Sequence, residues 1–446
     1  MVAVPVVGGR GAENERGRNA ECVIQTGFEE QKPTDRTCEG SSSERSASEE
    51  TISRGNEPKD SPSEYTTLPE SKLEDNQLET VKPGQDTPRE TVVIIGLFSF
   101  LGYATAVQAI DSGYQVRAVF STVQLGDMKD FLSTFPERCI DHIRFAVIGK
   151  LVVKELVEHF KGASCIYVAS LFLPIPICTT PKLIKANVWI LCEIIEAGTL
   201  CRHIKRIVFT SSITAYFKPE ELDDWVGTKE IFGEYAPVYI DSYRELSHRW
   251  NPEMATYIGS RTTDLILAEI AIALDGSLHF DLVCIMVTNV FGPDRMKTTL
   301  EGFNQGSNAK LLNHILGKGR ERLLGVSVHI DDVARCHVEA LSPKVPRGRY
   351  ILTGGSTNWF DAMLIVKEHY PKLICSVFTT EDVPTRITPC TIGNRRTRMV
   401  FGNTFKAFEE QVKDTVDFYL HLQEKNPPTY LARLQDINSV LAKLYI

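Results

Sequence analysis

Gly96, Ser99 and Gly102 stand at three-residue intervals just after a short apolar run, a spacing suited to holding a pyrophosphate. The chemistry would come from the backbone. A helix that begins here, with Phe100 and Leu101 in its first turn, offers free N–H groups to an anion. The first glycine makes the tight turn and the last lets helix and strand approach closely. Residues 92–95, Val-Val-Ile-Ile, read as a strand buried on both faces. Leu101, Ala104, Val107 and Ala109 or Ile110 recur at helical spacing, Gly113 ends that helix, and 115–120 reads as a second buried strand. Together they predict the opening βαβ unit of a dinucleotide-binding fold. A buried βαβ unit that binds no nucleotide is the other reading of this stretch, because Ser99 stands where a middle glycine would be usual.

The rest of the chain bounds what such a unit could serve. Residues 1–90 hold 11 basic and 19 acidic residues, a net −8 that equals the charge of the whole 446-residue chain. Their apolar residues are too sparse and unperiodic to offset the entropy of ordering, so this stretch reads as a disordered acidic tail. Residues 91–446 are neutral, which gives no basic footprint for nucleic acid. The apolar start of the chain is too short for a secretory signal, and no run of about 18 apolar residues suggests a membrane span. Eleven irregularly spaced cysteines without a C-x-x-C pair read as reduced, buried thiols, so a cytoplasmic location is expected.

Beyond the first unit, helices are predicted over 125–134, 151–161 and 182–197, and strands over 142–148, 163–169 and 203–210. A further helix follows at 257–274 and a strand at 278–287, after which Asn-Val-Phe-Gly-Pro-Asp breaks the pattern. Short alternating pieces follow over 323–370. An amphipathic helix is predicted over 405–422 and another over 430–444, whose apolar stripe packs on its own domain or forms a dimer contact. Strands alternating with helices imply an α/β fold, a doubly wound parallel sheet of Rossmann type. A dinucleotide-binding domain is expected over 91–290 and a smaller α/β substrate and C-terminal region over 291–446. Asp331-Asp332 is read as a helix N-cap, and no histidine, His329 included, stands at metal-ligand spacing, so no metal is assigned.

The order of motifs resembles the extended short-chain dehydrogenase/reductase superfamily, within the NAD-dependent epimerase/dehydratase family. It is most similar to the dihydroflavonol reductase and yeast-type aldehyde/ketone reductase branch. The motifs in register are Gly-Tyr-Gln-Val-Arg-Ala (113–118), Tyr-Val-Ala-Ser (167–170), Ile-Val-Phe-Thr-Ser-Ser (207–212), Arg-Trp-Asn-Pro (249–252), Tyr-Ile-Gly-Ser-Arg (257–261), Val-Phe-Gly-Pro (290–293) and Val-His-Ile-Asp-Asp-Val-Ala (328–334). The resemblance implies hydride transfer between nicotinamide and a carbonyl carbon. It implies that Tyr257 gives the proton, that Ser212 hydrogen-bonds the same oxygen, and that Arg261 supplies the positive charge beside the phenol. Asn187 falls at the family's active-site asparagine. Gly96, Ser99, Phe100, Leu101, Gly102, Ser121, Ala169, Ser170, Tyr257 and Arg261 would contact NADP or NAD.

Several positions depart from the family pattern. Ser99 replaces the middle glycine, so its side chain narrows the approach of a pyrophosphate. Ser121 offers neither the arginine of NADP users nor the acid of NAD users. Gly149 stands where an adenine-contacting aspartate is usual, Arg261 where a lysine is, and Met286-Val287 where Asn-Pro is. Two readings follow. One is an NAD(P)-dependent reductase or alcohol dehydrogenase acting on a small or medium carbonyl or alcohol substrate, as monomer or homodimer. The other is a catalytically silent relative that serves as scaffold or nucleotide-responsive regulator. An epimerase or dehydratase of the same fold is less favoured.

Overall fold

The computed structural model describes residues 89–121, 128–169, 180–216, 229–231, 233–234, 277–304, 306–316, 325–357, 359–373 and 390–425. The tail expected over 1–90 falls almost wholly outside them, as do the helices expected over 257–274 and 430–444.

Seven parallel strands form the central sheet. They are β1 (Thr91–Ile95), β2 (Gln115–Ser121), β3 (Ile143–Ile148), β4 (Cys165–Val168), β5 (Arg206–Ser212), β7 (Asp281–Val287) and β10 (Gly348–Leu352), lying in the order β10-β7-β5-β4-β1-β2-β3. From β1 the chain winds one way to β2 and β3 and the other way to β4, β5, β7 and β10. A ligand crevice is expected where that direction reverses, between the carboxyl ends of β1 and β4.

Alternation along β1 explains the two layers. Val92 and Ile94 pack on the face carrying α1 (Phe100–Asp111) and α8 (Ile330–Glu339), with Ala106, Ala109, Val333 and Cys336. Val93 and Ile95 face α4 (Val153–Phe160) and α5 (Thr180–Leu200), with Leu156, Phe160, Leu191 and Ile194. Every residue from Val92 to Ile95 is at most 3% exposed, as the unbroken apolar run predicts. Two short helices, α2 (Met128–Ser133) and α3 (Glu137–Ile140), lie between β2 and β3.

The strand start expected at 203 falls instead at Arg206, and β5 continues through Ser212, so both serines of Thr-Ser-Ser stay on the strand. Arg206 is 1% exposed. Its guanidinium donates to the carbonyls of Ala340 (3.1 Å) and Val345 (2.6 Å) and to the carboxylate of Asp281 (2.7 Å). The start of β5 is thereby tied to chain that follows α8. The sheet takes its last strand, β10, from beyond residue 290.

Smaller pieces complete the described chain. Asn-Val-Phe does not break the pattern as expected: β8 (Asn289–Phe291) pairs in parallel with β9 (Val326–His329), which pairs with β11 (Gly355–Ser356). The partner strand arrives some way later in the chain, so local reading sees only the turn. β6 (Lys229–Ile231) pairs with β12 (Cys390–Ile392). The remaining helices are α6 (Leu300–Phe303), α7 (Gly306–Ile315), α9 (Trp359–His369), α10 (Arg395–Phe401) and α11 (Phe408–Lys425). No described helix is long and apolar enough to cross a membrane.

Candidate functional site

The turn after β1 has the geometry its glycines predict. Gly96 lies at φ 90°, in the left-handed region that favours glycine. A Cβ on Gly102 would lie 2.1 Å from the carbonyl oxygen of Gly96, so only glycine permits this approach of α1 to the strand. Ser99 is the N-cap of α1. Its hydroxyl donates to the Gly96 carbonyl (2.7 Å) and accepts from the Gly102 N–H (3.0 Å). Its φ of −106° is ordinary, so the backbone needs no glycine there. Both bonds of the hydroxyl stay inside the turn. Among the described residues the amides of Phe100 and Leu101 have no acceptor and remain available at the helix start. Phe98 anchors the turn through ring contacts with Phe120 at 4.9 Å and Phe131 at 4.4 Å.

The other strand ends frame the same edge. Ala169, fully buried, donates its N–H to the Ile95 carbonyl (2.9 Å) and closes the seam between β1 and β4. Ser121 is the last residue of β2, in register with Ile148. Just past β3, Gly149 donates its N–H to Oε2 of Glu155 (2.7 Å), which also accepts from Lys150 N–H (3.3 Å). Ser212 closes β5, 4% exposed, beside Val287 of β7. Its Oγ accepts from the N–H (3.3 Å) and hydroxyl (2.9 Å) of Thr214, while Ser211 is fully buried. Asn187 is carried by α5. Ser170, Tyr257 and Arg261 lie outside the described residues; the structure places the turn after β1, Ser121, Ala169 and Ser212 at the carboxyl ends of neighbouring strands. Met286 and Val287, where the family pattern has Asn-Pro, are buried strand residues.

Arg117 on β2 is committed elsewhere, donating to the carbonyls of His159 (2.6 Å) and Lys161 (2.8 Å). Under the sheet edge, Tyr167, Thr210 and His337 form a buried polar chain, with 3.0 Å from Tyr167 Oη to Thr210 Oγ1 and 3.0 Å from Thr210 Oγ1 to His337 Nε2. His337 Nδ1 lies 2.7 Å from the Val333 carbonyl and must donate to it, so Nε2 accepts. Burial pushes this imidazole down to about 4. Asp294 follows the Phe-Gly-Pro turn, and burial pushes its carboxyl up to about 6 despite nearby Lys297.

The N-cap of α8 is His329, whose Nδ1 accepts from the Asp331 N–H at 3.1 Å, rather than the Asp331-Asp332 pair. The imidazole does the capping, so the carboxylates are free for ion pairs. Ligand atoms of His329, Asp331 and Asp414 lie within 4.8 Å of one another, a proximity that sequence spacing does not reveal. The ammonium of Lys406 sits among them, 3.0 Å from Asp331 and 2.8 Å from Asp414, and serves as the cation. Glu155 and Asp294 were missed as well. A glutamate at the third position of a helix is a capping signal that could have drawn attention to the first.

No family model matches the chain. A ketoreductase of Cercospora nicotianae is 25% identical over 360 residues, covering 75% of this chain and 96% of that protein. An NAD-dependent epimerase/dehydratase of Alternaria alternata is 27% identical over 315 residues, covering 64% and 84%. Among solved structures, the yeast methylglyoxal/isovaleraldehyde reductase complexed with NADPH superposes with a TM-score of 0.61 at 18% identity, covering 75% of this chain and 99% of that one. Vestitone reductase from alfalfa gives 0.58 at 19%, covering 74% and 98%. The chain is thus a homologue of proteins named ketoreductase and NAD-dependent epimerase/dehydratase, built on the fold of these reductases.

Proposed function

We propose that this protein is an NAD(P)-dependent oxidoreductase that interconverts a carbonyl and an alcohol on a small or medium organic substrate. The observation that carries the reading is the turn from β1 into α1, where Gly102 lets helix and strand approach closely and the helix-start amides of Phe100 and Leu101 have no acceptor among the described residues. Those free donors at a helix start suit a pyrophosphate. The names of the homologues support the reaction class, and the NADPH complex of the yeast reductase supports the cofactor.

When bound, the nicotinamide cofactor supplies the hydride. The chain's own residues handle the oxygen. Ser212, at the end of β5, hydrogen-bonds the carbonyl oxygen, its hydroxyl oriented by Thr214. Tyr257 gives that oxygen its proton, and Arg261, four residues on in the sequence, is assigned the positive charge that the phenol needs. Two unit charges about 4 Å apart at an effective dielectric near 20 interact by roughly 4 kcal/mol, enough to lower a phenol pKa by up to about three units. Asn187 is assigned to the same pocket by its place in the motif order.

Single-turnover hydride transfer from NADPH to a panel of aldehydes and ketones tests this. Reduction is expected to be slow but measurable, lost in Tyr257→Phe and faster in Arg261→Lys. Equal rates in the parent and Tyr257→Phe would remove the tyrosine from the mechanism. No turnover in any variant together with no nucleotide binding would favour the silent relative.

A further inference from the structure

Where β12 runs into α10, the surface opens into a cleft of about 460 Å3, lined by none of the residues assigned above to cofactor or catalysis. That volume falls within the roughly 300–1,000 Å3 of small-molecule sites. Asn394, Arg395, Arg398 and Asn403 give it a polar, basic wall, and Ile392 and Met399 an apolar one. Arg395 and Arg398 stand three positions apart on α10 and so share a face.

Neither Arg395 nor Arg398 has a carboxylate partner among the described residues. Glu234, the acid packed on this helix, is 4% exposed and accepts instead from the N–H (2.8 Å) and hydroxyl (3.0 Å) of Thr397. Arg396 is turned elsewhere, donating to the Arg347 carbonyl and lying 4.6 Å from the Tyr350 ring. Arg398 is oriented by its Nε, which donates to Asn394 Oδ1 at 3.0 Å, and this leaves both Nη groups without an acceptor among the described residues. Asn394 is 4% exposed and its Nδ2 has no acceptor either. Met399, 75% exposed, leaves apolar surface uncovered at the rim.

We propose that this cleft binds a small molecule carrying an oxyanion, with its charge held between Arg395 and Arg398 and its apolar part on Ile392 and Met399. A planar guanidinium presents parallel donors that match a carboxylate or a phosphate, and a fork already fixed by Asn394 loses little freedom on binding. The occupant bears on α10, which is joined through Thr397 and Glu234 to Tyr216 (Oη to the Glu234 carbonyl, 2.8 Å), in the turn that follows Ser212.

Calorimetric titration of the full chain with inorganic phosphate and with hexanoate tests the site and separates the two sources of oxyanion. Saturable binding of one probe is expected, weakened about tenfold or more in Arg395→Ala and in Arg398→Ala, since each removes a charge-assisted hydrogen bond. Arg138→Ala, at an exposed ion pair on another helix, should leave it unchanged. Stronger phosphate binding points to a phosphorylated ligand. Stronger hexanoate binding that falls further in Met399→Ala points to an apolar carboxylate. The side chain of Arg395 has no hydrogen-bond or ion-pair partner among the described residues, so its variant keeps the test usable if Arg398→Ala fails to fold. No saturable binding of either probe, or equal affinity in parent and both arginine variants, would overturn the proposal. The second result would place the anion elsewhere, as at the turn after β1, and leave the oxidoreductase reading untouched.

Discussion

Oε2 of Glu155 accepts the N–H of Gly149 at 2.7 Å, and a Cβ built on Gly149 would lie 3.5 Å from both oxygens of that carboxylate. The acid therefore occupies the ground into which a side chain at 149 would project. With Oε2 taken by two amides, Oε1 has no donor among the described residues and can accept from an exocyclic amine. Glu155→Ala should weaken NADPH and NADH alike by about tenfold, the worth of one hydrogen bond to a charged group. The parent should prefer NADPH over its deamino analogue, and Glu155→Gln should lose that preference. Fluorescence titration reads both. A variant that binds like the parent would show that Glu155 merely caps its loop.

Selectivity between the two dinucleotides should be weak. Ser121, ending β2, brings neither guanidinium nor carboxylate, and Arg117 is held by two carbonyls. Charged contacts of that kind discriminate by roughly 1.5–3 kcal/mol, so without them NADPH and NADH should bind within about tenfold of each other. A preference of several hundredfold in the same titration would mean that another residue reaches the ribose.

Gly102→Ala and Ser99→Ala should separate sharply in urea unfolding. The first forces a methyl against a backbone oxygen at 2.1 Å, a cost at or above the upper end of the about 1–3 kcal/mol typical of overpacking. The second loses an N-cap, about 1 kcal/mol. Similar losses in the two would show that the turn relaxes around the added atom.

The turn after β1 was legible because the apolar period changes from strand to helix within a few residues, with glycines marking both ends. The parallel sheet with helices on both faces followed from the same kind of signal. Glu155 was not, because its acid reaches back from a helix into a gap left by another residue. Nor was α10: Arg-Arg-Thr-Arg carries no apolar period, and the helix is held by Thr397 on Glu234, a contact between distant parts of the chain. His329 capping α8 escaped notice because caps are sought among serine, threonine, aspartate and asparagine.

Acid should act on stability through buried groups of opposite sign, Asp294 and His337 among them. The carboxyl of Asp294 is raised from 3.8 to about 6, so the folded chain holds a proton the unfolded one has released. Its stability penalty is fully present above pH 6 and is relieved as pH falls toward 3.8. His337, lowered from 6.5 to about 4, does the reverse: the unfolded chain takes up the proton first, and stability falls as pH drops through that window. Asp294→Asn should therefore be more stable than the parent at neutral pH, by an amount of order 3 kcal/mol at most, with the gain gone near pH 4. Urea midpoints across pH read this directly. A gain that persists unchanged in acid would mean that Asp294 does not titrate where its burial places it.

The tie from Arg206 to Ala340 and Val345 has a consequence for the chain as it is synthesised. A nascent polypeptide that has emerged only as far as β7 holds a guanidinium with two of its acceptors still unmade. It also has an apolar strand, Leu282 to Val287, whose neighbour β10 does not yet exist. Such a bare strand edge invites pairing with other chains. The interval between the appearance of β7 and of β10 is then a stretch of translation in which an apolar strand edge stays bare, and a ribosome stalled there would release a sticky fragment rather than a half-sized domain.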